Sequence, residues 1–222
     1  MISVVVPAID EEGGISDCLR SARDPEVSEI VVVDGGSTDR TPEIAAALAD
    51  QVLRTGPGRA LQMNAGAAAS CGEVLLFLHA DTRLPHGFGS AVRRAIDSGA
   101  AGGRFDVRVR GRHPAFGLLS AAINARSRAT GIATGDQAPF VTRAAFEALG
   151  GFEAVPLMED VRFTARLRGL GRVEALRERV ETSGRRWEEH GFLRTVLLMW
   201  RLRLLHALGV SPGRLARMYP RR

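Results

Sequence analysis

The chain has 222 residues, and 45% of them are hydrophobic, which is enough for one substantial core. Its formal net charge is +5, and all 30 basic side chains are arginine because the sequence contains no lysine. The composition therefore excludes Schiff-base chemistry on a lysine and a P-loop, whose lysine holds phosphates.

Neither a membrane span nor a signal peptide is apparent in the sequence. No apolar run approaches the length of a membrane span, and the amino terminus enters a predicted strand without a basic segment or a cleavage site. Cys18 and Cys71 lack metal-ligand spacing, so we expect them to be reduced. We therefore expect a cytoplasmic protein.

The first half of the chain alternates predicted strands and helices. Three apolar runs predict strands that are buried on both faces, namely residues 2–6, 29–33 and 74–78. Apolar spacing between them predicts three helices, the first from Ile15, the second with Thr41 as its N-cap and the third with Leu61 on its apolar face. Val52-Leu53 predicts a short strand. This succession indicates a mostly parallel sheet with right-handed crossovers.

The pattern changes in the second half. A helix is predicted from Phe88 to near Gly99, and residues 105–110 then alternate apolar and charged side chains. Such alternation predicts a strand with one solvent-exposed face, at an antiparallel edge of the sheet. A helix over about 114–128 and a short strand at 140–141 follow. We predict a mixed α/β sheet flanked by helices up to residue 180, with residues 181–222 as a helical extension.

Two of the buried strands end in acids. Asp34 follows residues 29–33, and Asp81 follows the run that ends in Leu78-His79-Ala80. Open α/β sheets bind ligands at the carboxyl ends of their strands, where a carboxylate can hold a metal ion against a diphosphate. The sequence therefore suggests a nucleotide site at this edge.

Five motifs, taken in order, resemble those of family 2 glycosyltransferases of the GT-A fold. They are Val6-Pro7-Ala8-Ile9-Asp10-Glu11, Asp34-Gly35-Gly36-Ser37-Thr38-Asp39, His79-Ala80-Asp81, Gly135-Asp136-Gln137 and Glu159-Asp160. The resemblance covers about the first 180 residues and rests on the order and spacing of the motifs. Residues 78–85 further resemble the bacterial selenodomain-associated or arsenosugar-type transferases. The resemblance implies a nucleotide-sugar-binding Rossmann-like domain that uses Mn²⁺ or Mg²⁺ to transfer a sugar to an acceptor hydroxyl.

The resemblance also implies which residues contact the donor nucleotide. They are Pro7, Ala8, Asp10, Glu11, Asp34, Gly35, Arg59, His79, Ala80 and Asp81. Asp10 stands where asparagine is more usual, which leaves the base open, and the pair Asp10-Glu11 has an alternative role in capping the following helix. Arg59 has a role beside the diphosphate or, as the alternative, is an exposed arginine at a helix start.

The metal ligand that the resemblance implies is Asp81. His79 stands where the family has another acid, and a neutral histidine is a weaker magnesium ligand than a carboxylate. His79 and His190 are further candidate metal ligands. The alternatives for His79 are a hydrogen bond to the ribose and a histidine that merely ends a core strand.

The catalytic residue that the resemblance implies is Asp160. As a general base it would remove the proton of the acceptor hydroxyl in an inverting reaction, whereas the alternative is an acid that stabilises a helix start. The acceptor side would comprise Gly135, Asp136, Gln137, Glu159 and Trp187. Residues 185–187 match the Gln-x-x-Arg-Trp motif of processive members only in part, so we do not expect polymer synthesis.

The segment 192–208 predicts a basic amphipathic helix that contains Trp200. Such helices bind membrane interfaces, which would suit a lipid-linked acceptor and peripheral attachment to the inner face of the membrane. The alternative is a helix that packs on the catalytic domain or on a second copy in a homodimer. As further partners we expect a nucleotide-diphosphate sugar as donor and an acceptor that offers a hydroxyl group. We expect no nucleic-acid partner.

Two other functions remain as alternatives. A sugar-phosphate nucleotidyltransferase has a similar core, but it normally carries a glycine-rich loop with arginine and lysine after the first strand, where this chain has residues 7–11. A basic nucleic-acid-binding module requires clustered arginines interleaved with aromatic residues. Aromatic residues are only 5% of this sequence, and its arginines are dispersed.

Overall fold

The computed structural model describes residues 1–219, which contain an eight-stranded mixed sheet. Its strands are β1 (Ile2–Ala8), β2 (Val27–Asp34), β3 (Gln51–Arg54), β4 (Val74–Phe77), β5 (Thr82–Arg83), β6 (Gly102–Arg110), β7 (Phe140–Thr142) and β8 (Val173–Ser183). Their order is β3-β2-β1-β4-β7-β6-β8-β5. Four pairings are parallel, whereas β7 is antiparallel to β4 and β6, and β5 is antiparallel to β8. The predicted mixed, mostly parallel sheet is confirmed.

Helices cover both faces of the sheet. They are α1 (Ile15–Ser21), α2 (Thr41–Leu48), α3 (Arg59–Ala69), α4 (Phe88–Asp97), α5 (Phe116–Thr130), α6 (Arg143–Ala148), α7 (Glu159–Leu170), α8 (Arg185–His190), α9 (Phe192–Ala207) and α10 (Pro212–Met218). Side chains of β1 alternate between two cores, because Val4 and Val6 pack with α1, α2, α4 and α5 while Val5 packs with α3, α6 and α7. Burying each such side chain contributes about 1.5–3 kcal/mol. The sheet is therefore a rigid platform for the loops at its strand ends.

Strand β6 is an interior strand, so the predicted edge position is wrong. It lies between β7 and β8, and its charged residues Arg104 and Asp106 are buried. Arg104 Nη1 donates to Asp106 Oδ1 at 2.6 Å, and Arg128 Nη2 donates to Asp106 Oδ2 at 2.8 Å. These ion pairs allow charged side chains to occupy a covered face, which an alternating pattern alone would assign to solvent.

Two predicted details of the helices are also wrong. Thr41 is not the N-cap of α2, which is Arg40; Thr41 lies inside the helix, and its Oγ1 accepts a hydrogen bond from Glu11 N at 2.8 Å. In α3 the side chain of Leu61 is 51% exposed, while the buried face carries Met63 and Gly66. A Cβ on Gly66 would lie 3.0 Å from Val33 Cγ2, so the missing side chain lets this helix approach the sheet closely.

The boundary expected at residue 180 falls within β8, and the three last helices follow that strand. A small apolar cluster of Met158, Leu202 and Leu215 joins α9 and α10 to the start of α7. The rest of α9 carries an exposed apolar stripe, which consists of Leu193, Leu197, Trp200 and Leu204 and continues to Leu208. Within residues 1–219, every helix is too short or too polar to cross a membrane.

Candidate active site

A cavity of about 410 Å³ opens at the carboxyl ends of β1 and β4. One side is formed by residues that follow these strands, and the other by the faces of α5 and α9 that turn toward it. A 3-10 turn, Gly135–Gln137, and the start of α7 lie between the two sides, and α8 borders the opening. The cavity therefore joins parts of the chain that are far apart in sequence.

Most of the predicted site residues line this cavity. They are Pro7, Ala8, Glu11, Arg59, His79, Ala80, Asp81, Gly135, Asp136, Asp160, Trp187 and His190. Five others do not line it: Asp10, Asp34, Gly35, Gln137 and Glu159. Of these five, Gln137 caps the 3-10 turn with Thr134, and Glu159 lies behind Arg59.

Asp34 and Asp10 are engaged in the loop that follows β2. Asp34 is buried and accepts hydrogen bonds from the backbone N–H groups of Gly36 and Ser37 at 3.1 and 3.0 Å. Asp10, which has a left-handed backbone (φ 51°), accepts from Thr38 N at 2.8 Å. Both carboxylates therefore shape the two loops from behind the cavity wall.

Gln62 fixes the ends of the first two strands. Its side-chain amide is buried and donates to Ala8 O at 2.9 Å and to Val33 O at 2.8 Å. A Cβ on Gly35 would lie 3.0 Å from Gln62 Nε2, so a glycine is needed at that position for this close approach. Gln62 lines the cavity, and the sequence analysis missed it because a single polar residue in an alanine-rich helix carries no pattern.

Two ion pairs hold arginines at the cavity wall. Arg59 Nη1 lies 3.4 Å from Glu159 Oε1, and Arg185 Nη2 donates to Glu11 Oε2 at 2.9 Å. Glu159 is buried, and burial, followed by the nearby Asp160 charge, raises the pKa of its carboxyl group. Both arginines are thus positioned by acids that the family motifs supply.

The 3-10 turn connects the strand-end histidine to the predicted base. Gly135 N donates to Asp160 Oδ2 at 2.7 Å, while the second oxygen of Asp160 accepts from Val161 N at 2.7 Å. Gly135 also packs on the imidazole of His79, since a Cβ there would lie 2.6 Å from His79 Cε1. Burial, followed by the charges of Arg59 and Arg186, lowers the pKa of His79 to about 3. His79 is therefore a neutral imidazole at physiological pH.

The donor set fits a divalent cation that shares its ligands with a diphosphate. Asp81 and His190 line the same cavity, and within residues 1–219 the carboxylate of Asp81 accepts one hydrogen bond, from Thr82 Oγ1 at 3.3 Å. Residues 1–219 contain no cluster of three histidine, cysteine or acidic side chains that would hold a metal by itself. A cation bound through one or two protein ligands, with phosphate oxygens completing the shell, is the usual arrangement for Mg²⁺.

Several cavity residues were not identified from the sequence. They are Gln62, Arg126, Arg185, Arg186, Glu189 and Arg203, together with the apolar side chains of α5 and α9. Leu119, Ile123 and Arg126 recur at helical spacing on α5, as do Val196, Met199 and Arg203 on α9. This periodicity could have indicated one shared face on each helix, but nothing local indicates that these faces meet the strand ends.

Comparisons with known proteins identify the family. The model of glycosyl transferase family 2 matches residues 3–141, so the chain belongs to this family. Glucosyl-3-phosphoglycerate synthase of Mycolicibacterium paratuberculosis is 39% identical over 100 residues, a segment that covers 38% of this chain and 30% of that protein. The chain therefore matches less than a third of the length of this curated relative.

Two solved structures share the fold. The mannosyltransferase of Pyrobaculum calidifontis, in complex with GDP-Man and Mn²⁺, superposes with a TM-score of 0.66 at 23% identity, over 98% of this chain and 68% of that one. Glucosyl-3-phosphoglycerate synthase of Mycobacterium tuberculosis, in complex with Mn²⁺, UDP and glucosyl-3-phosphoglycerate, superposes with a TM-score of 0.62 at 23% identity, over 95% and 81%. The chain has the GT-A fold, and the family to which it belongs is one of glycosyltransferases. The nucleotidyltransferase and nucleic-acid alternatives are therefore not supported.

Proposed function

We propose that this glycosyltransferase transfers a sugar, with inversion at the anomeric carbon, from a nucleotide diphosphate to an acceptor hydroxyl. The observation that carries the proposal is the shared cavity, in which the strand-end acid Asp81 and the helix-start acid Asp160 face one space of about 410 Å³. A metal-ligating acid and a general base are the two groups that such a displacement needs.

The donor side of the cavity supports nucleotide binding. Pro7, Ala8 and Glu11 line it near the end of β1, while Asp34 and Asp10 hold the adjoining loops from behind. The two GT-A structures described above are complexes with UDP and Mn²⁺ and with GDP-Man and Mn²⁺. We propose the same class of donor here.

Asp81 would hold the divalent cation on the diphosphate, with His190 as the second protein ligand. The cation, when bound, stabilises the negative charge that develops on the departing diphosphate. Arg59 lies in the same wall and is held there by Glu159, so it is placed to neutralise part of that charge through a charge-assisted hydrogen bond. His79 is neutral, so it would orient the donor through a hydrogen bond and add no charge.

Asp160 would act as the base. Its two oxygens accept backbone hydrogen bonds from Gly135 and Val161, which fix the orientation of the carboxylate. Its position in the first turn of α7 adds the favourable field of the helix N-terminus. An acceptor hydroxyl beside this carboxylate would lose its proton as its oxygen attacks the anomeric carbon.

The exposed apolar stripe of α9 supports one further proposal, contact with an anionic lipid surface. The sequence from residue 190 to residue 222 contains seven arginines and no aspartate or glutamate. Arg194 and Arg201 are exposed on the helix that carries the stripe. Apolar side chains bordered by unopposed positive charge are the features of helices that bind anionic membranes. Trp200 belongs to the stripe and also lines the cavity.

The donor proposal is tested by thermal unfolding in the presence of UDP, GDP, ADP or CMP, each with and without Mn²⁺. A ligand that binds the native state raises the midpoint by mass action. We expect a nucleoside diphosphate to raise the unfolding midpoint and Mn²⁺ to make this rise larger. In the Asp81→Asn variant, the additional rise caused by Mn²⁺ should be absent. If every nucleotide leaves the midpoint unchanged, the donor assignment is wrong.

The stereochemical part is tested on the product. NMR of the transferred sugar, with its anomeric configuration compared to that of the donor, should show inversion. Retention would refute Asp160 as a base for direct displacement while leaving the donor assignment intact.

A further inference from the structure

Three arginines in the cavity wall, Arg126, Arg186 and Arg203, make no hydrogen bond or ion pair with any described residue, and Arg186 alone of the three lies over an aromatic ring, that of Tyr219. Arg126 lies on α5, and its Nε and Nη2 atoms are buried without a partner within residues 1–219. Arg203 lies on α9 and likewise has no hydrogen bond or ion pair in the described chain. By contrast, Arg59 and Arg185 in the same wall are held by glutamates. Guanidinium nitrogens that are buried without an acceptor, as in Arg126, are costly, and the partly buried Arg203 adds a second cation without an acceptor, so the pair calls for a ligand.

The two guanidinium groups affect each other. Burial, followed by the positive charge of Arg203, lowers the pKa of Arg126 to about 10, and burial also lowers the pKa of Arg203. Both side chains remain charged at neutral pH. Two mutually repelling cations in a concave wall create a local positive potential, which favours an anion between them.

The acids opposite do not neutralise the pair by direct contact. Asp136 and Asp160 influence both arginines electrostatically, but no ion pair links them within residues 1–219. Asp136 Oδ1 is itself buried without a hydrogen-bond partner. Side chains that carry unsatisfied donors and an unsatisfied acceptor therefore line one cavity. A ligand that offers an anionic group and a hydroxyl would satisfy both.

We propose that Arg126 and Arg203 bind a carboxylate or phosphate group of the acceptor and thereby restrict the enzyme to acidic hydroxylated acceptors. This inference rests on the proposed function, because it assigns the anion to the acceptor of that transfer. The acceptor's reacting hydroxyl would lie at Asp160, and a second hydroxyl would donate to Asp136. Leu119, Ile123, Val196 and Met199 line the rest of these helix faces, so the anion would be bound in a partly apolar wall where charge-assisted hydrogen bonds are strong.

The test is calorimetric titration of three small probes into protein that has been saturated with its nucleoside diphosphate and Mn²⁺, so that the donor phosphate site is filled. The probes are glycerate, glycerol 3-phosphate and glycerol, which share hydroxyl groups and differ in the anion. We expect at least one of the two acids to bind and glycerol not to bind. The acid that binds more tightly identifies the anionic group as carboxylate or phosphate.

Three variants assign the binding to the arginine pair. Arg126→Gln and Arg203→Gln should each weaken binding of the acid by about tenfold or more, since each removes charge-assisted hydrogen bonds. Arg126→Lys should fall between them and the wild type, because it keeps the charge but loses the planar fork. The matched control is Arg214→Gln, which alters an exposed arginine on the neighbouring helix α10 outside the cavity wall and should leave the affinity unchanged.

The result that overturns the inference is unchanged acid affinity in both glutamine variants, binding of glycerol as tight as that of the acids, or failure of both acids to bind the wild type. Nucleotide affinity, measured first, should be the same in all variants. If the wild type binds no nucleotide, the proposed function fails, and titration without nucleotide still tests the arginine pair. Thermal unfolding establishes that each variant is folded, and Arg203→Gln carries the test if Arg126→Gln is not.

Discussion

The two sides of the cavity differ in how their polar side chains are satisfied. On the strand side, Gln62 and Asp34 bond to the backbone, and Arg59 and Glu11 each have an oppositely charged partner. On the helix side and in the turn and helix that border it, polar atoms of Arg126, Asp136 and Trp187 are buried without partners in the described chain. The comparison indicates that the strand side is formed before any ligand binds, whereas the helix side has hydrogen-bonding capacity left for one.

The largest effect is expected at Asp160, which lies where the two sides meet. Asp160→Asn removes the proposed base and should lower turnover by about 10²- to 10⁴-fold, while affinity for the proposed donor nucleotide stays within about twofold. Steady-state kinetics and calorimetry measure the two quantities. Asp97→Asn, at an exposed position on α4, is the control and should change neither the turnover nor the affinity for the donor nucleotide. Undiminished turnover in the Asp160 variant would place the base elsewhere.

The next effect concerns the turn that connects the two sides. Gly135→Ala would place a methyl group against the His79 imidazole, 2.6 Å from its Cε1, so we expect a loss of about 1–3 kcal/mol in the free energy of unfolding, with reduced turnover. Urea unfolding measures the first quantity. Gly169→Ala is the matched control, because a Cβ there meets no atom within 4 Å. Equal stability of the two variants would contradict the close packing of Gly135 on His79.

A smaller effect is expected at Gln62, which tests whether the strand side is held by its own hydrogen bonds. Gln62→Leu removes both bonds to the strand ends, but Ala8 O keeps the hydrogen bond from Gly35 N at 2.9 Å. We therefore expect a destabilisation of about 1 kcal/mol and weaker nucleotide binding. Chemical unfolding and nucleotide titration measure these changes. A variant that binds nucleotide as the wild type does would show that these strand ends need no such support.

The smallest effect is expected at the outer face of the helix side. The wild type should co-sediment with phosphatidylglycerol vesicles more than with phosphatidylcholine vesicles, and Leu204→Gln should reduce the bound fraction severalfold because it removes part of the apolar contact. Leu118→Gln, at a leucine that is 75% exposed on α5, is the control and should not change binding.

Two outcomes would contradict the lipid proposal. One is equal binding to the two kinds of vesicle, and the other is no binding to either. Sedimentation velocity distinguishes a further case, in which the wild type is a dimer that Leu204→Gln dissociates. That result would assign the stripe to a second copy of the chain.

The strands that form the strand side were predicted correctly because their signals are local. Continuous apolar runs identify β1, β2 and β4, and the acids that follow them must emerge at one edge of a parallel sheet. The family resemblance then brought Asp160 and Asp81 into one site, and both line the cavity. Arg185 was noticed only as part of an incomplete motif. Its ion pair with Glu11 could not be predicted, because the two residues are 174 positions apart in the sequence.

The helix side could not be predicted in the same way. Arg126 and Arg203 are two of 30 basic residues, and their helices meet the cavity only through long-range packing. The prediction that β6 lies at an edge of the sheet was wrong for a related reason. Burial of Arg104 with Asp106 depends on Arg128, which belongs to another element. Ion pairs between distant segments leave no periodicity in the sequence.

The contact between Glu11 and Arg185 joins two parts of the chain that form one cavity, and this has a consequence for how related sequences diverge. The segment that identifies the family ends at residue 141, yet residues after it close the cavity and provide the group at which attack would begin. Under the proposed function, substitutions in α9 would change which molecule receives the sugar while the nucleotide-binding half stays as it is. Relatives with near-identical amino-terminal halves need not share a product.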